Sequence, residues 1–224
     1  MFDATRYFDL TGFEHASLFE QGAVWEALNQ ISGYLARAKL GRILGAVHEG
    51  AYLVSPETIS IGEGSVVEAG AYIQGPCIIG KGCQIRHGAY IRGNCIIGDR
   101  CVIGHATEVK HAIFFNGAHA AHFAYVGDSI LGNRVNLGAG TKLANLRFDG
   151  RPISIYDGET EIETQMRKFG AVLGDDVQMG CNSVTNPGTV IGKKTCVGPC
   201  ATVKGIIPEN SIVKPAQSEI ISSL

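Results

Sequence analysis

Ten apolar residues stand at intervals of six along the first half of the chain: Ile61, Val67, Ile73, Ile79, Ile85, Ile91, Ile97, Ile103, Val109 and Phe115. With 45% of the chain apolar, ten successive hits in one register arise by chance about three times in ten thousand. A period of six matches neither the 3.6-residue helix nor the two-residue strand. It belongs to a repeat architecture in which each unit buries its apolar face against the next. Gly follows four of the ten, at Gly62, Gly80, Gly98 and Gly104, where a chain turns without a Cβ clash. Small residues stand two positions ahead, at Ser65, Ala71, Cys77, Cys83, Ala89, Cys95, Cys101 and Thr107.

After a break the period resumes in a shifted register at Leu131, Leu137 and Leu143, with Ser129, Val135 and Thr141 in the small positions. No hexads occur from about 144 to 170, and Leu173, Met179, Thr185, Ile191, Val197 and Val203 then continue the spacing. Repeat proteins place insertions in loops on one face, often the binding face, so the 144–170 excursion is expected to form a lid or wall of a site. The pattern resembles the hexapeptide repeats of left-handed parallel β-helices, in which three hexads make one triangular coil. The resemblance implies aliphatic residues filling a prism, small residues letting the next face approach, and an exception to the usual right-handed crossover. The expected fold is all-β, a left-handed parallel β-helix with an N-terminal α-helix. Its expected parts are a helical cap over residues 1–50, the β-helix over 51–207 and a tail over 208–224.

The first fifty residues differ in kind. Ser17-Leu-Phe-Glu20 reads as a capping box, followed by Val24, Leu28, Ile31 and Leu35 on one stripe and a stop near Gly41, which predicts one amphipathic helix of about twenty residues. Its expected role is to cover the open end of the coil and the unpaired strand edge there. Net charge is −2 without a basic run, so nucleic acid or an anionic membrane would need a local patch. Neither an apolar run long enough to span a membrane nor a signal-peptide pattern is present, which points to the cytoplasm. Four of the seven cysteines occupy small positions, where a small hydrophobe suffices. Cys181, Cys196 and Cys200 lack CxxC spacing, so no zinc site is expected.

Two features carry chemistry. Arg92 and Lys110 are three hexads apart, each directly after an inward aliphatic residue, so they should emerge one above the other. Stacked cations repel unless an anion lies between them, which points to a phosphate site; two solvated surface cations are the alternative. From Gly117 to Asp128 the hexad rule fails, with His119 in a small position, and such breaks tend to mark functional sites. His122 is a candidate general base because an imidazole titrates near working pH, or it is structural. Tyr125 either orients a sugar or packs.

The runs His122-Phe-Ala-Tyr125-Val-Gly-Asp128, Asn136-Leu-Gly138-Ala139-Gly140-Thr141 and Asn145 resemble the acetyltransferase domain of the bifunctional bacterial N-acetylglucosamine-1-phosphate uridyltransferase/glucosamine-1-phosphate acetyltransferase. Leu137 to Gly150 is closer still to archaeal-type bifunctional sugar-1-phosphate nucleotidylyltransferases. The resemblance implies an acetyl-CoA-dependent N-acetyltransferase acting on an amino-sugar 1-phosphate, assembled as a homotrimer with three composite sites. It places Arg92, Lys110 and Lys168 on the sugar phosphate, His122 as general base, and Tyr125 and Asn136 on the sugar. Ala139, Asn145, Cys181 and Pro199 fall where acetyl-CoA is held, and backbone N–H groups around Gly138-Ala139 would serve the oxyanion.

This chain departs from the family at several points. Leu146 follows Asn145 where bacterial members have Tyr, Cys181 and Pro199 stand where Ser and Ala usually line the channel, and the family's C-terminal arginine is missing. With no Gly-rich, Arg-containing phosphate loop near the start, only the acetyl half of the activity is expected, and a separate protein is a candidate for nucleotidyl transfer. Two other readings remain: a trimeric sugar-phosphate-binding scaffold, and a γ-carbonic-anhydrase-like metal site, for which His87 and His105 stack three hexads apart.

Overall fold

The structure is a computed structural model that describes residues 2–158 and 160–215. Each hexad becomes a short strand and a corner, and the strands stack into three parallel sheets. The first face contains Ala46–Val47, Val66–Val67, Gln84–Ile85, Val102–His105 and His119–His122, and continues to Ile212–Val213. The second carries Tyr52–Val54, Tyr72–Gln74, Tyr90–Ile91, Glu108–Lys110, Tyr125–Gly127 and Lys142–Leu143, down to Thr202–Val203. The third runs from Ile59–Ile61 to Ile206–Ile207. This is an all-β, left-handed parallel β-helix of about nine turns. Its paired strands reach beyond 51–207 at both ends, to Ala46 and Val213, and residues 216–224 of the expected tail lie outside the described residues.

The aliphatic residue of each hexad from Ile61 to Val109 is at most 1% exposed, and the small residues ahead of it are equally buried. Removing that much apolar surface from water is the main favourable term. Corners need left-handed backbone, which Gly82 adopts freely at φ 63° and Asn94 tolerates at φ 50°.

The tenth hexad position is not inward. Ile97 pairs with Phe114 rather than Phe115, so this coil falls one residue short of three full hexads. The missing residue was lost at the corner between Lys110 and Ala112, where His111 takes φ 48°. The shift continues downstream: Ile103 pairs with Ala120, and Val109 with Val126. The apparent failure of the hexad rule at His119 is this frame shift. Ala118 and Ala120 occupy the buried small and inward positions, and His119 points out between them.

Phe115, displaced from the prism, is nonetheless fully buried. Its ring stacks on Phe8 at 4.5 Å and on Phe13 at 4.0 Å, with Phe19 at 5.2 Å. The N-terminal segment therefore lies along the third face instead of covering the end of the coil. It packs on that face's outward column of Ile96, Ile113, Ile130, Val172 and Val190. The predicted helix is shorter than expected, Ala27–Arg37, with Leu28, Ile31 and Leu35 buried. Separate 3₁₀ turns hold Ala16–Phe19 and Val24–Glu26, so Ser17 caps no long helix. The excursion joins the same outer core. Strands Ser154–Asp157 and Thr160–Glu163 form an antiparallel hairpin, and Ile153, Ile155 and Phe169 are buried in that core.

Phe115→Ala is expected to cost about 3–5 kcal/mol and to free the N-terminal segment for proteolysis before the prism melts. Phe114→Ala should destabilise the prism itself; limited proteolysis with mass analysis reads the order. Burial also holds the His15 imidazole below its ordinary pKa. The unfolded chain then binds the extra proton, so stability is complete above about pH 6.5 and declines as pH falls below it. Thermal melts across that range should show the decline, and His15→Phe should make it shallower.

Candidate functional site

The edge between the first and second faces holds one vertical column. His105 pairs with His122, and backbone bonds carry the register down the same edge: Gly140 N–H to His122 O at 3.1 Å, Asn182 N–H to Ala139 O at 2.8 Å, and Cys200 N–H to Cys181 O at 2.8 Å. Thus His122, Ala139, Cys181 and Pro199 lie on successive rungs. The strip is flat, because a Cβ on Gly138 would lie 2.6 Å from Cys181 N and one on Gly180 2.4 Å from Pro199 N. The Gly138 N–H is committed to Met179 O at 2.7 Å, so it is not free to serve an oxyanion; among the described residues the Ala139 N–H has no protein acceptor. Above His122 in the column, the His87 and His105 rings stack at 5.6 Å. Each donates Nδ1–H to a carbonyl one rung away, Ala69 O at 2.7 Å and His87 O at 3.0 Å. His122 has no such tie among the described residues, and the Phe123 N–H donates to His105 O at 2.9 Å. Its ring is exposed.

The opposite margin of the second face carries the charges. Arg92 and Lys110 do emerge one above the other, but the anions between them are the protein's own. Arg92 meets Glu108 at 2.7 Å, and Lys110 Nζ meets Asp128 Oδ2 at 2.8 Å, with the Lys110 and Asp128 side chains only 19% and 7% exposed. Asn145 Nδ2 donates to the same Asp128 oxygen, and the Tyr125 hydroxyl donates to Asn145 Oδ1 at 3.4 Å. Gly127 makes this possible, since a Cβ there would lie 2.6 Å from the Tyr125 hydroxyl and 2.7 Å from Asn145 Nδ2. Burial raises the Tyr125 phenol's pKa, against the pull of Lys110. Burial likewise lowers that of His111, with Asp128 acting in the opposite direction. Exposed Lys168 sits on the return limb of the excursion, immediately before Phe169, whose N–H donates to Asn145 O at 3.0 Å.

The sequence-derived residues therefore divide into two groups, on the two margins of one face. Asn136 belongs to neither: it points out from the first face, between His119 and Gln178. From His122 to Gly127, the register partner of Lys110, the chain can span up to about 17 Å. Asp128 and Glu108 are the ion-pair partners that sequence reasoning missed. Asp128 stood inside a recognised motif, but its role depends on Lys110, a partner on the rung above. Below this margin a cavity of about 870 Å³ opens, walled by Leu146, Phe148 and Tyr156 of the excursion and by Asn186 and Lys204 of the second face. Among the described residues no group of three or more His, Cys, Asp and Glu side chains is arranged to hold a metal ion. No described helix is long and apolar enough to cross a membrane.

The prism with one charged and one flat margin on the same face defines a hexapeptide-repeat β-helix built around a polar site. The model for the GMPPB C-terminal domain matches residues 73–221, and the chain belongs to that family. It is 33% identical over 118 residues to the bifunctional protein GlmU of Methanococcus aeolicus, covering 53% of this chain and 28% of that protein. It is 39% identical over 98 residues to the bifunctional sugar-1-phosphate nucleotidylyltransferase/acetyltransferase of Sulfurisphaera tokodaii, covering 44% and 24%. A putative uncharacterized acetyltransferase of Escherichia coli, YaiX, is 35% identical over 150 residues, covering 67% and 65%. The chain thus spans about a quarter of the length of these archaeal relatives.

Removing one member of a buried ion pair strands the other. Lys110→Met is expected to cost about 3 kcal/mol, and Lys110→Met with Asp128→Leu together less than Lys110→Met alone. Denaturant unfolding of both variants gives the comparison.

Proposed function

We propose that this protein is an acetyl-CoA-dependent acyltransferase acting on a phosphorylated amino sugar, with glucosamine-1-phosphate as reference acceptor, and that it works as a homotrimer. One observation carries the reading: the candidate base and coenzyme positions occupy one margin of the second face, and the cations the other. Three such faces turned toward a threefold axis bring the first margin of each protomer against the second margin of its neighbour. Exposed Tyr52, Tyr72, Tyr90 and Phe123 on that face and its edge are the large apolar surfaces an interface would cover. The relatives named as acetyltransferases in Escherichia coli and Sulfurisphaera tokodaii support the reaction class.

In this scheme the flat strip beside Ala139, Cys181 and Pro199 fits the thin pantetheine arm. The acceptor amine attacks the thioester carbonyl while His122 takes its proton. The Ala139 N–H donates to the oxyanion, and the carbon–sulfur bond breaks as the thiolate leaves and is protonated. Lys168 and Lys110 of the neighbour meet the phosphate, with Arg92 beside them. Tyr125 and Asn136 orient the sugar, and Asn145 couples the coenzyme side to the Asp128 network. A cytoplasmic setting supplies the co-substrate, and a separate nucleotidyltransferase would consume the product in sugar nucleotide synthesis.

A second reading is favoured by one specific observation. Glu108 and Asp128 already neutralise Arg92 and Lys110, as in a scaffold that keeps the pocket without turnover. Thiol release with acetyl-CoA and a panel of amino-sugar phosphates separates the two. The enzyme should turn over, and His122→Ala should lower the rate about 10²–10⁴-fold while the trimer mass stays unchanged. Full activity in that variant, or no heat on titrating acetyl-CoA into the wild type, refutes the catalytic reading.

A further inference from the structure

On the far side of the molecule, the outward column of the third face is aliphatic from Ile78 through Ile96, Ile113, Ile130, Val172 and Val190 to Ile206. Ser60 breaks it. Ser60 is among the residues that line a cavity of about 300 Å³ between the N-terminal segment and the prism. Its hydroxyl oxygen is buried and has no hydrogen-bond partner among the described residues. A desolvated hydroxyl without a partner costs about 1–3 kcal/mol, whereas the column's usual isoleucine would fill the space and pack.

Charges of both signs surround the cavity. Arg42, Lys39 and Lys81 line it, and none forms an ion pair among the described residues. Arg42 lies on the rung where Ile43 meets Ile61. Asp99 follows the Ile97 rung, two rungs below Ile61, and it and Glu14 both act on His15; Asp99 accepts the Lys81 N–H at 2.7 Å. Rungs are about 4.8 Å apart, so three rungs put the backbones of Arg42 and Asp99 about 14 Å apart. Less the reach of the two side chains, that leaves room for a short molecule with unlike ends. Stacked Gly62, Gly80 and Gly98 line the trench and keep it open.

We infer that this cavity is a second small-molecule site, separate from the proposed acyl-transfer site, for a compact amine-bearing phosphomonoester. The phosphate sits on Lys39 and Arg42, and the ammonium group faces Glu14 and Asp99.

The test is calorimetric titration with O-phosphoethanolamine, inorganic phosphate and ethanolamine, each against the wild type. O-phosphoethanolamine should bind best, and His122→Ala should bind it equally well, which keeps this outcome independent of the acyl-transfer reading. Lys39→Ala/Arg42→Ala, both on side chains at the cavity mouth, should weaken binding about tenfold or more. Ser60→Ile, which completes the aliphatic column, should abolish binding and raise the melting temperature. No binding of any probe to the wild type overturns the inference, as does undiminished binding in the double variant. Inorganic phosphate binding as tightly as O-phosphoethanolamine overturns the assignment of the acidic end.

Discussion

Everything on the surface of this molecule is placed by the stacking of buried aliphatic side chains inside the prism. Because Ile61, Ile79 and Ile97 sit on successive rungs, each outward side chain acquires a neighbour about 4.8 Å above and below it. Coil length then decides which residues become neighbours. A coil of three full hexads puts His87 above His105, and a coil one residue shorter puts His122 on the next rung of the same column.

The changes in coil length are concentrated at one corner. The residue lost after Lys110, the residue lost between Val126 and Leu131, and the whole 144–170 excursion all fall between the second and third faces. There the chain brings Lys110, Asp128, Asn145 and Lys168 to one edge, while from Ile61 onward the other two corners stay regular. Inward packing tolerates such changes because they occur in turns, where no prism side chain is displaced. The same shift turned Phe115 outward and supplied the aromatic anchor for the N-terminal segment.

Much of the fold was legible because period and burial are the same constraint: Ile61 through Val109 are inward as the spacing requires. Phe115 was misplaced for a local reason, since a single deletion leaves the count of six intact by coincidence when an aromatic follows the true inward residue, Phe114. The helix was overestimated because Val24 shares the apolar stripe but sits in a 3₁₀ turn. For the candidate site, vertical alignment of Arg92 and Lys110 followed directly from arithmetic. Their neutralisation by Glu108 and Asp128 did not, since a shift of one position in register decides which acid faces which base.

The two margins of the second face gain a joint meaning only if neighbouring protomers bring them together, and subunit complementation asks that question most directly. His122→Ala and Lys168→Glu proteins, each inactive alone, are unfolded together and reassembled in equal amounts. Sites shared between protomers should restore about a quarter of wild-type thiol release, because one interface in four then pairs an intact His122 with an intact Lys168. Mixed assemblies that regain no activity would place both residues in a site within one chain and contradict the account.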